Sequence, residues 1–412
     1  MWRALVLSAL GTTVAGLDAP ALLAQSSQAA GPRIFLSDGR DLARVKEAVA
    51  SDKTIAAAVT DLRSRADKEL KAGPFSIVTN NKPRLAPSGD KHDYVSMAPY
   101  FWPDPAKPNG LPYLRKDGRV NPEREKYDRP LLGKMSTAVG TLGLAYYLTG
   151  EEKYAEHAAR LLRAWFLDAA TLMNPNLNYG QFIPGINDGR GIGIIDSVGF
   201  LKVIDAIGML EGCRAWTKAD QAGMERWFRD YLHWLQTSKN GKEEAAAANN
   251  HGSWYDVQLG AYGLFVGDAD LAKKVVEDSK TKRIARQVEP DGRQPLELKR
   301  TKAFDYSRGN LDALFGLATL GDRVGVDLWS FQTKDGRSIR KALEWLIPFA
   351  TGEKKWEYEQ IKELQGGSLA PLLRRAANAY HDLRYEQLLA KLPRSNPGSS
   401  TMLLYPATKE MQ

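Results

Sequence analysis

The chain is short of several things, and each shortage removes a class of answers. It holds one cysteine, Cys213, in 412 residues, so neither an intramolecular disulfide nor a cysteine-based metal site can form. The lone thiol reads as a small buried core residue. Strand-like alternation is scarce and short. No stretch beyond the N-terminus reaches the roughly 18 consecutive apolar residues of a membrane span. Zinc-finger, RNP-like and P-loop patterns are missing, and Lys and Arg form neither a tail nor a run, which sets nucleic acid aside as a partner.

What the chain does have is positive charge and aromatic rings. Its 57 Lys and Arg against 49 Asp and Glu leave a net charge of +8, and a basic surface attracts anionic polymers. Ten Trp and sixteen Tyr are rings whose flat faces stack on sugar C–H surfaces while their polar edges take hydrogen bonds. With 43% apolar and 26% charged residues, the composition is that of a folded globular protein. Met1-Trp2-Arg3, the mostly apolar run 4–10 and the small residues up to 24 read as a secretory leader. Cleavage is expected near Ala24 or as late as Ala30, giving a periplasmic or secreted protein.

Helical spacing begins at residues 40–71, where Leu42, Val45, Ala48, Val49, Ile55, Val59 and Leu62 recur at the period of a helix. Residues 73–130 carry prolines from Pro74 to Pro122, too many for helix to persist, and long irregular stretches are often functional. Amphipathic segments then return in pairs: 135–148 with 154–166, 198–210 with 219–236, 254–265 with 269–276, and 311–320 followed by 339–349. Antiparallel pairs with brief connections predict an all-α protein built as a single α/α toroid or incomplete barrel. The expected division is a leader at 1–24, a catalytic domain over 33–350, and helices within 351–412 that complete the ring.

Four constellations carry candidate chemistry. Asn249-Asn250-His251-Gly252-Ser253-Trp254-Tyr255-Asp256 brings amides, an imidazole and aromatics to a loop-to-helix junction, where free backbone N–H groups favour anions. Arg300 and Tyr306 flank the start of another helix. Residues 88–105 set Tyr100 and Trp102 among prolines that stiffen them. Residues 178–191 form a glycine-relieved loop with Gln181 and Arg190. His157, His233 and His381 lie in amphipathic stretches and read as structural, with His92 intermediate.

These motifs resemble the alginate-lyase domain family of polysaccharide lyases. The matching pieces are SGDKHDYVSMAPYFWPDP at 88–105, LPYLRKDGRVNPE at 111–123, the segment 173–196, NNHGSWYDVQ at 249–258 and PLELKRTKAFDYS at 295–307. The chain is more similar to the branch called polysaccharide lyase family 38 than to family 5. The resemblance implies an α/α toroid that needs no organic cofactor or metal. It also implies β-elimination on a 4-linked uronate polymer, alginate first and glucuronan next, by a monomer. The C5 proton is removed and the O4 group expelled, which requires the C6 carboxylate to be neutralised as the enolate forms.

By that resemblance Asn250 and Arg300 neutralise the carboxylate, with His251 assisting or acting as base. Tyr306 is both base and acid where elimination is syn, or the acid alone where His251 takes the proton from the opposite face. An unperturbed tyrosine titrates near 10, so Arg300 is needed to make a phenolate accessible. Tyr100, Trp102, Gln181, Arg190, Trp254 and Tyr255 are the expected sugar contacts. Unlike family 5, the Arg-to-Tyr spacing is one residue shorter and Ser307 follows Tyr306, which leaves Lys299 as a second candidate for the arginine's task. Two other functions compete. A glycoside hydrolase on the same toroid would need paired carboxylic residues, for which Asp188, Asp256, Glu297 and Asp305 lie near the motifs. The other is a capture protein for acidic oligosaccharides.

Overall fold

Helix boundaries follow local capping chemistry. The computed structural model describes residues 31–393 and 399–407; the expected leader lies outside the described residues. Helices α1 (Gly39–Ala48) and α2 (Lys53–Glu69) open the chain, α2 starting where the Asp52 carboxylate accepts from the Thr54 and Ile55 amides, as an N-cap does. Helix α3 (Arg129–Thr149) stops at Gly150, in the left-handed conformation that glycine tolerates, and α4 (Glu152–Leu162) turns straight back. Then come α5 (Phe200–Met209), α6 (Lys218–Thr237), begun by a Thr217/Asp220 capping box, α7 (Lys239–Ala245), α8 (Asn250–Val266) and α9 (Ala269–Ser279). The short α10 (Ala285–Gln287) and α11 (Pro295–Leu298) lead into α12 (Ala303–Val324), and α13 (Ile339–Ala350), α14 (Ala370–Tyr380), α15 (Arg384–Lys391) and α16 (Ser399–Leu404) follow. The predicted helices are all present, and α12 begins earlier than its apolar stretch at 311–320 suggests, so that Tyr306 sits in its first turn.

Glycines set how the inner helices meet. A Cβ on Gly143 would lie 2.9 Å from Ala206 Cβ, and one on Gly140 would lie 3.4 Å from Lys202 Cβ. Contacts that advance together along both chains mean that α3 and α5 run parallel in close approach. Likewise a Cβ on Gly316 would sit 3.3 Å from Val257 Cγ1 and one on Gly260 3.2 Å from Leu320 Cδ1, so α8 and α12 are parallel neighbours with their N-terminal ends together. The returning helices pack outside them, α4 on α3, α6 on α8, and α9 on both α8 and α12. Helix α8 is buried on nearly every face, as befits an inner helix. This is the all-α toroid of helix pairs that the periodicity predicts. Cys213 is free and buried, as expected. Among the described residues no helix is long and apolar enough to cross a membrane.

The proline-rich stretch forms no helix up to Asn121. Strand β1 (Val95–Met97) pairs in parallel with β4 (Tyr179–Phe182), and β2 (Phe101–Trp102) pairs antiparallel with β3 (Leu114–Arg115). Two buried carboxylates pin this segment to the ring. Asp128 accepts from the Val95 amide, from Asn80 and from Lys82. Asp196 accepts from Tyr94, Ser96, Arg129 and Gln181 at 2.6–3.1 Å. Hydrogen bonds to its lone pairs offset the cost of burying such a charge. At the other end of the chain α16 packs on α1 and α2, and the Tyr405 hydroxyl donates to Leu36 O at 2.7 Å.

Candidate active site

The first turn of α8 explains its motif residue by residue. Asn249 caps the helix, its side chain accepting from the His251 amide. Asn250 gives its backbone N–H and its side-chain Nδ2 to the two oxygens of Glu297 on α11, both at 2.7 Å. An amide NH2 has two protons, so one N–H of Asn250 is bound and one remains to be offered. His251 Nδ1 lies 2.7 Å from Glu244 Oε1 on α7. Gly252 cannot carry a side chain, because a Cβ there would fall 2.2 Å from Arg283 Nη1. That arginine clamps Asp256 while donating to Ala245 O and Ala247 O, satisfying carbonyls that a helix end leaves open. Trp254, one turn on from Asn250, keeps a partly exposed ring.

Tyr255 is a correction. It is 4% exposed and its hydroxyl donates to Leu235 O at 3.0 Å, holding α8 against α6, so it is a structural residue and not a sugar contact.

The N-terminal end of α12 supplies the second group. The Tyr306 hydroxyl accepts from Arg300 Nη2 and donates to the Tyr100 hydroxyl, each at 2.7 Å. The guanidinium carbon of Arg300 stands 3.7 Å from the Tyr306 ring centroid, a stacked cation–π contact. The shorter spacing to Tyr306 therefore does not displace Arg300 from the site, whereas Lys299 is exposed. Asp117, just past β3, grips Arg300 through both carboxylate oxygens at 2.8–3.2 Å and also takes the Thr301 amide and hydroxyl. At the next residue, Gly118 (φ +70°), a Cβ would fall 2.3 Å from Thr301 Oγ1 and 2.9 Å from Ile361 Cδ1. Only glycine lets the hairpin close on the loop that carries Arg300.

Charge environments follow from these contacts. Burial raises the Tyr306 phenol above its ordinary range, the Tyr100 bond raises it further, and Arg300 opposes them; the resting group is a neutral phenol. Burial also raises Glu297, against the two bonds from Asn250. For Asp117 burial is outweighed by Arg300 and Thr301, which hold the carboxyl well below its usual range. Glu297 sits within the fields of both Arg300 and His251, which joins the α8 and α12 groups into one site at two parallel helix N-termini. The partial positive charge there suits an anionic group.

The loop after β4 forms a further side. Gln181 holds the left-handed conformation at φ 52°, rare for a residue with a side chain and found where strain serves a site. In that pose its carbonyl and side-chain oxygens both accept from Arg190, at 3.1 and 3.0 Å. Gln181 is 4% exposed, so it acts by aiming Arg190 and not by facing a ligand. Arg190 stacks over Phe101 and lies in the fields of Arg115, Glu243 and Glu244. Trp102 donates to Arg119 O at 3.0 Å, with Lys116 over its ring, and Lys302 stands over Tyr100.

Sequence reasoning missed Asp117 and Glu244. The Glu243-Glu244 pair just ahead of the Asn-Asn-His run was the available signal for the latter; for Asp117 it was the matching segment 111–123, within which no residue was singled out. The segment around His92 is a structural latch, its Nδ1 2.6 Å from Leu172 O. Among the described residues no cluster of three or more His, Cys, Asp or Glu could hold a metal ion.

No curated protein matches the sequence. The family model described as alginate lyase matches residues 78–356. Among solved structures the chain is similar to an alginate lyase from Bacteroides ovatus, at 45% identity and a TM-score of 0.88, covering 92% of this chain and 100% of that one. It is similar in fold to a histidine-to-alanine and a tyrosine-to-phenylalanine variant of alginate lyase A1-III, each complexed with a tetrasaccharide. For both the identity is 16%, the TM-score 0.53, and the coverage 85% of this chain and 95% of theirs.

Proposed function

The chain belongs to the alginate lyase family of polysaccharide lyases, and from that premise we propose that it depolymerises alginate by β-elimination, with glucuronan the next substrate to test. The observation that carries this reading is the meeting of Asn250 and His251 with Arg300 and Tyr306 around Glu297. The substrate carboxylate is received by the free N–H of Asn250 and by Arg300, which stabilise the enolate as charge moves onto it; one such preorganised donor is worth about 10²–10³ in kcat. His251 takes the C5 proton where it lies opposite the leaving oxygen, and the neutral Tyr306 phenol protonates that oxygen. Where both lie on one face, Tyr306 performs both steps and Arg300 stabilises the phenolate then required. Tyr100, Trp102, Trp254 and Arg190 contact the sugar chain.

The carboxylates that a hydrolase would need are engaged with other groups. Glu297 holds Asn250, Asp256 holds Arg283, Asp188 pairs with Arg84 and Asp305 accepts from Gln360. The same proposal has the enzyme act in the periplasm or outside the cell, on the strength of the leader-like residues 1–24. The test is ultraviolet absorbance of the unsaturated uronate during incubation with polymannuronate, polyguluronate, mixed alginate and glucuronan. A rise on alginate fractions supports the reading, and silence on every polymer with binding retained would favour the capture protein.

A further inference from the structure

We infer that Glu244 is the positioning residue that fixes the tautomer of His251, keeping the proton on Nδ1 and leaving Nε2 bare toward the substrate. The inference rests on the lyase reading for its catalytic consequence but not for its structural one.

A carboxylate accepts hydrogen bonds and donates none. With Glu244 Oε1 2.7 Å from Nδ1, a neutral imidazole must therefore carry its hydrogen on Nδ1, and Nε2 is then the acceptor. That is the form a general base needs, and a base whose orientation is set by a third group is a recurrent catalytic arrangement. Glu244 is itself held still. It is 1% exposed on a helix that begins with Ser238 accepting from the Gly241 amide. That helix is pressed so closely onto α6 that a Cβ on Gly241 would overlap Leu235 O at 1.8 Å. Its far end is clamped by Arg283 through Ala245 O.

The other oxygen, Oε2, is buried without a partner. A residue serving packing alone has no use for an unmet buried lone pair, which is costly; an apolar side chain would fill the space better. The neighbouring Glu243 turns the other way and accepts from the Gly191 amide at 3.1 Å. Thus α7 ties the loop that carries Arg190 to the helix that carries His251, and it sets the two at a fixed separation.

The experiment compares Glu244→Leu and Glu244→Gln with the wild type. Leucine removes the acceptor together with a buried charge, so the fold should survive; glutamine keeps an oxygen that can still accept from Nδ1. Nitrogen-15 spectra of histidine-labelled protein report the His251 tautomer without any substrate. The wild type should show the proton on Nδ1, the leucine variant should lose that preference, and the glutamine variant should keep part of it. In steady state, Glu244→Leu should lower kcat by ~10²–10⁴ with KM nearly unchanged, since that is the range of a general base, and Glu244→Gln should recover part of it.

A wild-type proton on Nε2, or a leucine variant with unchanged kcat, overturns the inference. A fall in kcat matched by unfolding and by an equal loss in the glutamine variant overturns it too, in favour of a packing role. If the wild type releases no unsaturated product from any uronate polymer, the lyase reading fails while the spectra still decide the tautomer.

Discussion

The two walls of the site are built on different principles. On the α8 side, Asn250 and His251 are backed by Glu297 and Glu244, each 1% exposed, and each glutamate comes from a short helix locked into the ring. On the hairpin side, Arg300 and Tyr306 are held by Asp117 and Tyr100, which belong to the β2–β3 segment. Leu111, Leu114 and Val120 of that segment are 37%, 43% and 41% exposed. The first wall fixes directions before substrate arrives, as preorganised catalysis requires. The second is surface structure, where recognition usually resides. The proposed chemistry therefore stands on both walls, one holding Asn250 and His251 from the core and the other holding Arg300 and Tyr306 from a hairpin at the surface.

Tyr306→Phe tests the hairpin wall, and its effect should be the largest, a ~10³-fold loss of kcat with oligosaccharide binding preserved in calorimetry. A variant retaining a tenth or more of the wild-type rate would remove Tyr306 from the chemistry. Next in size, Glu297→Leu releases the amide of Asn250 from its fixed direction, and kcat should drop by ~10² as a donor is lost from the forming enolate. Initial rates with saturating polymer check this, and unchanged rates would mean that the buried wall needs no anchor. Trp102→Ala, on the rim, should raise KM by roughly 3–10-fold and leave kcat alone, the mark of uniform binding; a fall in kcat instead would break the contrast between the walls.

The smallest effect is on stability, and the walls should differ in sign. Glu297 is raised above its usual 4.5 by burial, so the folded state binds more protons than the unfolded one and this group's contribution falls as pH rises through that window. Asp117 is held below its usual 3.8, so its contribution is present above that value and is lost as pH falls toward the folded one. Thermal unfolding across acid to neutral pH should therefore show Glu297→Gln gaining on the wild type as pH rises. Asp117→Asn should lose most at neutral pH and close the gap in acid. Parallel curves for the two would mean that the walls do not differ electrostatically.

The ring was legible in the sequence because apolar periodicity reports burial directly, and the segments at 135–148, 219–236 and 254–265 lie inside helices. The residues of Asn250, His251, Arg300 and Tyr306 were legible through their motifs. What was not legible is who holds them. Asp117 and Arg300 are 183 positions apart, and Glu297 lies 47 from Asn250; no periodicity carries information over such distances. Tyr255 misled for a related reason. It sits beside partly exposed Trp254, and a helix turns adjacent residues to different faces, so one reaches solvent and the other seals α8 on α6. Gln181 was read as a contact although its side chain is spent on aiming Arg190.

Gly118 has a consequence for anyone who would redesign this protein. The hairpin meets the loop that carries Arg300 at Asp117 and Gly118, where a missing side chain allows Thr301 and Ile361 to close in. The joint works as a coupling with a tight fitting: any side chain at that position would push the hairpin off the loop that carries Arg300. The Arg300–Tyr306 pair behind it keeps its settings as long as that one position stays bare.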